Sequence, residues 1–198
     1  MDQGNLALAL SMVEGKAKHN ISTVGEHLAR YPRHLLQKLA DAGCVVRILS
    51  DRQTYTDASP ALRRLGVDVD RWPVAPAGLT VVEERTAYIR DLTCMTTLHE
   101  VGHLLDLALG GGAYWSGYSR EFRAAYAKTR EFMNPYSASG LDEAFAESAR
   151  AMVSPPGADA APNLPASRER LRAKSPELYA VVSRIFDVAE SLQTTTAA

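Results

Sequence analysis

The chain of 198 residues has only two cysteines and no long run of apolar residues. Cys44 and Cys94 cannot build a disulfide framework; a single bridge between them is arithmetically possible, and we expect two buried thiols instead. The longest early apolar run covers residues 6–10, which is too short to span a bilayer, and Asp2 stands where a Sec signal peptide carries positive charge. We therefore expect no disulfide-rich scaffold, no membrane span and no Sec signal.

Neither sign of charge is in excess. The chain has 22 Lys and Arg residues against 23 Asp and Glu, a formal net charge of −1, and 46% hydrophobic residues, which is typical of globular proteins. A clustered basic surface is the signature of proteins that bind nucleic acid, so we expect no nucleic-acid partner. The length favours one domain over residues 1–198, with an α/β part at about 1–91 and a helical part at about 92–198.

Hydrophobic periodicity predicts an α+β fold, with a small sheet in the N-terminal half and helices in the C-terminal half. Helices are expected at 23–40, from about residue 92 to the glycines at 110–112, at 120–133, at 141–153 with Ser139 as a capping signal, and from Pro176 with Ser175 as N-cap. Strands are expected at 44–49, 80–82 and 86–89, the last two as separate strands or a hairpin. Residues 51–78 are predicted to form a long loop in which only 66–70 resembles a strand.

The helix that begins after Asp91 contains an H-E-x-x-H motif, from His99 to His103. Residues four apart lie on one face of a helix, so both imidazoles can reach one cation while Glu100 stays close to it. About one chain in a hundred of this composition would carry the motif by chance. Gly102 is unusual inside a helix, where it costs about 1 kcal/mol relative to alanine, and a close approach of neighbouring backbone would explain it.

A catalytic zinc ion needs three protein ligands and one open position, so the two histidines require a partner from elsewhere in the chain. Glu143 and Glu147 lie four apart on the predicted helix at 141–153. One carboxylate could bind the metal and the other could hydrogen-bond a histidine ring. The alternative is that both glutamates are solvated helix surface.

These residues resemble a known family, the zinc metallopeptidases that include the catalytic domain of anthrax lethal factor and the bacterial Pro-Pro endopeptidases. The resemblance covers about residues 91–153, with Val101 in the variable position of the family's H-E-[FL]-G-H helix. Asp106 matches an Asp that often follows the second His. Tyr136 stands seven residues before Glu143, as the family's tyrosine does, and Glu147 stands four after it.

The resemblance implies a zincin-like fold and a zinc-dependent endopeptidase, which hydrolyses peptide bonds with a zinc-activated water. One Zn²⁺ ion would be held by His99, His103 and Glu143. Glu100 would be the general base, and Tyr136 would stabilise the oxyanion. Two further carboxylates, Glu147 and Asp106, would support the ligands. Family membership also suggests export from a bacterium as a secreted effector or toxin; without a Sec signal, the alternative is a cytoplasmic protein.

The substrate is expected to be a peptide or protein. It could bind as an extended strand near Thr86–Arg90, unless that segment is a fully paired inner strand. Residues 110–118 could form a mobile rim over the cleft or a packed turn. Two other functions stay open: a zinc-binding interaction domain without catalysis, and a metallohydrolase that acts on a non-peptide bond. Retention of Glu100 and Tyr136 argues against the first, since a structural site has no use for a general base.

Overall fold

The computed structural model describes residues 2–158 and 164–193, with side chains described up to residue 187. Its α-helices are α1 (Gln3–Ser11), α2 (Lys18–Leu28), α3 (Arg33–Asp41), α4 (Tyr55–Ala58), α5 (Pro60–Leu65), α6 (Cys94–Leu109), α7 (Trp115–Tyr118), α8 (Arg120–Lys128), α9 (Leu141–Val153), α10 (Arg168–Lys174) and α11 (Pro176–Gln193). The strands are β1 (Val13–Glu14), β2 (Val45–Ile48), β3 (Gly78–Val81) and β4 (Thr86–Ile89). Short 3₁₀ turns cover Val69–Arg71, Val82–Glu84 and Tyr136–Ala138.

The four strands form one mixed sheet in the order β1-β2-β4-β3. β1, β2 and β4 are parallel, whereas β3 runs antiparallel to β4 and forms a hairpin with it. The sheet therefore comes from the N-terminal half of the chain and helices dominate the C-terminal half. This is the predicted α+β arrangement, and the two strands that were expected to be either separate or paired form a hairpin.

The expected substrate-binding strand is corrected by this topology. β4, which covers most of the segment Thr86–Arg90, lies between β2 and β3, so its backbone pairs on both sides. All four of its residues are buried. The free edge on this side of the sheet belongs to β3, and the prediction that a substrate pairs with residues 86–90 is wrong.

Helix α6 is the centre of the fold. Its predicted apolar face is fully buried at Leu98, Val101 and Leu105. The other residues from Thr96 to Ala108 are buried as well. The helix packs on β3 and β4 on one side and on α9 on the other. A helix that is covered all round can hold polar side chains only where they find partners, which makes its histidines and acids informative.

Two predicted segments have a different structure. The helix expected at 23–40 is interrupted after Leu28, because Pro32 adopts an extended conformation and becomes the N-cap residue of α3. The long loop expected at 51–78 contains α4 and α5, which begin at the caps Thr54 and Ser59. The strand-like segment 66–70 is not a strand: Gly66 is a left-handed C-cap, and a 3₁₀ turn follows.

The helix ends also differ from expectation. α8 stops at Lys128 rather than 133, with Thr129 as its C-cap. Ser139 does not cap α9; its hydroxyl donates to the carbonyl of Tyr136, and Gly140 occupies the N-cap position. Pro176 begins α11 as predicted.

The two cysteines are both free thiols. Cys44 is buried, and Cys94 is partly buried against the core. Among the described residues, no helix combines the length and apolarity needed to cross a membrane.

Candidate metal centre

Two buried helices bring the candidate ligands together. α6 starts at the cap Thr93, whose hydroxyl accepts from the amide of Thr96, and presents His99 and His103 one turn apart. α9 packs across it and presents Glu143. Both histidines are about nine-tenths buried, and the Glu143 side chain is 23% exposed. The group is therefore largely buried, and Glu143 is its most exposed member.

The three side chains point their donor atoms at one spot. His103 Nε2 lies 3.1 Å from His99 Nε2, and Glu143 Oε2 lies 3.2 Å from His99 Nε2 and 3.4 Å from His103 Nε2. Donors bound at about 2.0–2.2 Å to a tetrahedral zinc ion lie about 3.3–3.6 Å apart. Glu143 Oε2 is also buried without a well-aligned hydrogen bond from any described residue. The spacing and this unsatisfied oxygen fit a divalent cation with three protein ligands.

Glu147, which was expected to support a ligand, contacts His99. Its Oε1 lies 2.8 Å from His99 Nδ1. A ring that carries its proton on Nδ1 presents the lone pair of Nε2 to the centre of the site. Glu147 is 1% exposed and is held by the guanidinium of Arg150, which donates to both carboxylate oxygens, and by the amide of Asn134. These contacts leave the carboxylate little freedom to turn, so His99 is fixed in orientation.

The close packing of His99, Glu143 and Glu147 shifts the pKa of each of them when no metal ion is bound. Burial by itself lowers the pKa of His99, but the carboxylates of Glu143 and Glu147 raise it to about 10. Burial raises the pKa of Glu143, yet the two histidines bring it down to about 2. The pKa of Glu147 falls to about 2 as well, since His99 and Arg150 outweigh its burial. The metal-free site therefore holds a protonated His99 between two carboxylates, a charge that a cation would replace.

Glu100, the expected base, is 7% exposed and faces β3. Its Oε2 accepts a hydrogen bond of 2.7 Å from the hydroxyl of Thr80. Gly78 makes room for it, since a Cβ at that position would stand 2.6 Å from Glu100 Cγ. Glu100 thus lies against the edge strand β3 and follows His99 directly in α6.

Tyr136 lies over the same site from the 3₁₀ turn before α9. Its ring centroid is 5.4 Å from that of His99, and the residue is 44% exposed. Burial and the negative charges of Glu143 and Glu100 raise the pKa of its phenol to about 12. The hydroxyl therefore stays protonated at neutral pH and can donate a hydrogen bond.

The segment 110–118 is packed at residues 114–116 and exposed at residues 111–113, 117 and 118. Ser116 is fully buried, and its amide and hydroxyl donate to Asp106 at 2.8 and 2.6 Å. Trp115 packs against Phe122 and Phe145, and the ring of Tyr114 rests 5.7 Å from that of His103. The hydrogen bonds of Asp106 go to this turn rather than to a histidine ring, so Asp106 holds the turn beside the site.

Four residues of the site were not found from the sequence: Gly78, Thr80, Asn134 and Arg150. Arg150 has the one usable signal, because it lies three residues after Glu147 on the same helix face. The other three come from segments that meet the site only through the tertiary fold. Spacing along the chain carries no trace of them.

Comparison with known proteins adds one finding about the fold. No protein-family model matches the chain, and no curated protein matches it by sequence. Among solved structures, the chain is similar to the Pro-Pro endopeptidase (PPEP-2) from Paenibacillus alvei, with a TM-score of 0.66 and 18% identity. The match covers 90% of this chain and 100% of that one. The chain therefore shares the fold of a structure that is an endopeptidase.

Proposed function

We propose that the protein is a zinc-dependent endopeptidase. One observation carries this proposal: His99, His103 and Glu143 place three donor atoms within 3.4 Å of one another, and Glu100 is the residue next to His99 in α6. A zinc ion held there would supply a Lewis acid that polarises a peptide carbonyl and makes water nucleophilic near neutral pH. A site that served structure alone would have four ligands and no adjacent acid. The fold of the Pro-Pro endopeptidase supports the same reading.

The remaining steps belong to side chains of this chain. Glu100 accepts the proton of the attacking water and returns it to the leaving amine, which is general acid–base catalysis at one carboxylate. Tyr136 donates its phenolic proton toward the oxygen that gains charge as the carbonyl becomes tetrahedral. Glu147 holds His99 in the tautomer that binds metal. Because each role belongs to a different side chain, a single substitution can remove one role and leave the others.

A peptide substrate fits the free edge of β3. In an antiparallel pair, every second residue of a strand forms backbone hydrogen bonds with the neighbouring strand. The amide of Arg90, just after β4, donates to the carbonyl of Ala77, just before β3, which fixes the alternation. Ala77, Leu79 and Val81 are therefore used by the hairpin, and the backbone groups of Gly78 and Thr80 point outward. An extended peptide could add to this edge as a strand, directly beside Glu100.

The test is to measure zinc content and cleavage of a peptide library that includes proline-containing sequences. The wild type is compared with Glu100→Gln, and with Glu26→Gln on the exposed face of α2 as control. We expect about one zinc per chain in all three proteins, and a loss of cleavage of about 10²- to 10⁴-fold in Glu100→Gln alone.

Three other outcomes contradict the proposal. Zinc in every protein without cleavage in any would indicate a binding domain. Hydrolysis of small esters or amides without peptide cleavage would indicate a different metallohydrolase. A wild type that binds no zinc would exclude the proposed chemistry altogether.

A further inference from the structure

Strand β3 and the candidate base are in direct contact. Thr80 Oγ donates to Glu100 Oε2 at 2.7 Å, and the same hydroxyl lies 3.3 Å from the Glu100 carbonyl. A threonine hydroxyl has one proton, so the shorter, charge-assisted bond to the carboxylate is the stronger one. One oxygen of Glu100 is thereby tied to the strand, and Oε1 is left to exchange a proton.

Gly78 leaves the space that the side chain of Glu100 occupies beside β3. It lies two residues before Thr80, so both positions face α6 from the same side of β3. A Cβ at position 78 would stand 2.6 Å from Glu100 Cγ and 3.0 Å from Oε1. The side chain of Glu100 therefore lies against bare backbone at one position and hydrogen-bonds the strand at the next.

The partner of Glu100 is neutral, which matters for a base. Among the residues that the structure describes, the hydrogen bond to its carboxylate comes from Thr80, and no ion pair to Glu100 is formed. A hydroxyl orients the carboxylate without neutralising it.

We propose that Thr80 is a positioning residue that aims Glu100 for proton transfer. The inference rests on the proposed function and adds one feature to it. Thr80 presents its side chain to the base and its backbone to the free edge where a peptide would pair. Strand pairing of the substrate and orientation of the base are therefore set at one residue, and a substrate aligned on β3 is automatically in register with Glu100.

The experiment compares Thr80→Val, which removes the hydroxyl at nearly constant volume, with Thr80→Ser, which keeps it. Thr56→Val is the matched control. Thr56 lies in α4 and is also half-buried, and its hydroxyl donates to the carbonyl of Val67. On a peptide that the wild type cleaves, we expect Thr80→Val to lower kcat by about 10- to 100-fold, the value of one hydrogen bond to a charged group. KM and zinc content should stay unchanged, and Thr80→Ser and Thr56→Val should keep kcat within about threefold of the wild type.

A second measurement does not depend on catalysis. Thermal unfolding of the metal-free protein is followed for Thr80→Val, Glu100→Ala and the double variant. If the two side chains interact, the Tm shifts will not add, because the second substitution removes a bond that is already broken. Additive shifts would overturn the contact.

The kinetic outcomes separate the roles. A wild-type kcat in Thr80→Val, a raised KM with unchanged kcat, or loss of zinc would each overturn the positioning role. If the wild type cleaves no peptide, the proposed function fails, and the unfolding cycle still decides whether Thr80 holds Glu100.

Discussion

Gly102 lies against the backbone of Ala146. A Cβ at position 102 would stand 2.8 Å from both the Cα and the carbonyl oxygen of Ala146. Gly102 is the residue before His103, and Ala146 is the residue before Glu147. The absence of a side chain at one position thus sets the distance between the two helices that supply the metal-binding group. The close approach expected from a glycine inside a helix is confirmed.

Substitution of this glycine should separate the two helices. We expect Gly102→Ala to lower the free energy of unfolding by about 1–3 kcal/mol through overpacking. It should also weaken zinc binding, since Glu143 moves away from the histidines. Chemical denaturation and zinc titration measure both effects. Gly117→Ala in α7 is the control, because a Cβ there meets nothing within 4 Å; equal behaviour of the two variants would refute the explanation.

Arg150 should be required for folding rather than for chemistry. It is 2% exposed and donates to both oxygens of the buried Glu147. Arg150→Met would leave that carboxylate buried without its cation, and we expect a loss of about 3–5 kcal/mol in unfolding free energy. Arg64→Met removes the partner of Glu83 at the surface and should cost at most about 1 kcal/mol. Similar losses in urea denaturation would show that burial of the pair is unimportant.

Zinc affinity should rise with pH across the neutral range. The metal-free protein has a pKa of about 10 for His99, raised from 6.5, so this ring must release a proton when it binds metal. The stability that the charged ring contributes is fully present below pH 6.5 and is lost as pH rises through 10. One released proton gives an affinity gain of about tenfold per pH unit between these values. Calorimetric titration in buffers of different ionisation enthalpy counts the protons; a count near zero would contradict the pKa.

The turn that holds Tyr114 should contribute its own pH dependence. Burial raises the pKa of Asp106 to about 6, although its hydrogen bonds from Ser116 act in the opposite direction. A raised pKa means that this contribution is present below pH 3.8 and is lost as pH rises through 6. The stability of the wild type relative to Asp106→Asn should therefore fall by about 2–3 kcal/mol between pH 4 and pH 7. Denaturation at several pH values tests this, with exposed Asp51→Asn as control; parallel curves for wild type and Asp106→Asn would disprove it.

The candidate metal-binding group could be proposed from the sequence because its signal is local. His99 and His103 share one face of a helix, and Glu143 and Glu147 share one face of another, so spacing alone indicates which side chains lie together. Spacing along the chain does not show that these two helix faces pack against each other, because that contact belongs to the tertiary structure. The sequence suggested it only through the resemblance to a peptidase family, and the packing of α6 on α9 supplies the physical reason.

The wrong predictions concern a helix boundary, two short helices and the position of a strand in the sheet, none of which has a clear local signal. Pro32 ends a helical pattern that continues in its apolar residues, because a proline at a cap leaves the hydrophobic spacing on both sides undisturbed. The short helices α4 and α5 depend on the caps Thr54 and Ser59, which composition alone does not distinguish from loop residues. The order of strands in the sheet depends on contacts between segments far apart in the chain. An inner strand and an edge strand can therefore look alike in sequence.

The division of the metal-binding group between α6 and α9 has a consequence for the newly made chain. His99 and Glu143 are separated by 44 positions (143 − 99), so they come together only when α9 packs on α6. Until then α6 offers two histidines and lacks the third ligand. The proposed hydrolytic activity is therefore latent until α9 docks on α6, because the third ligand arrives only with the native packing.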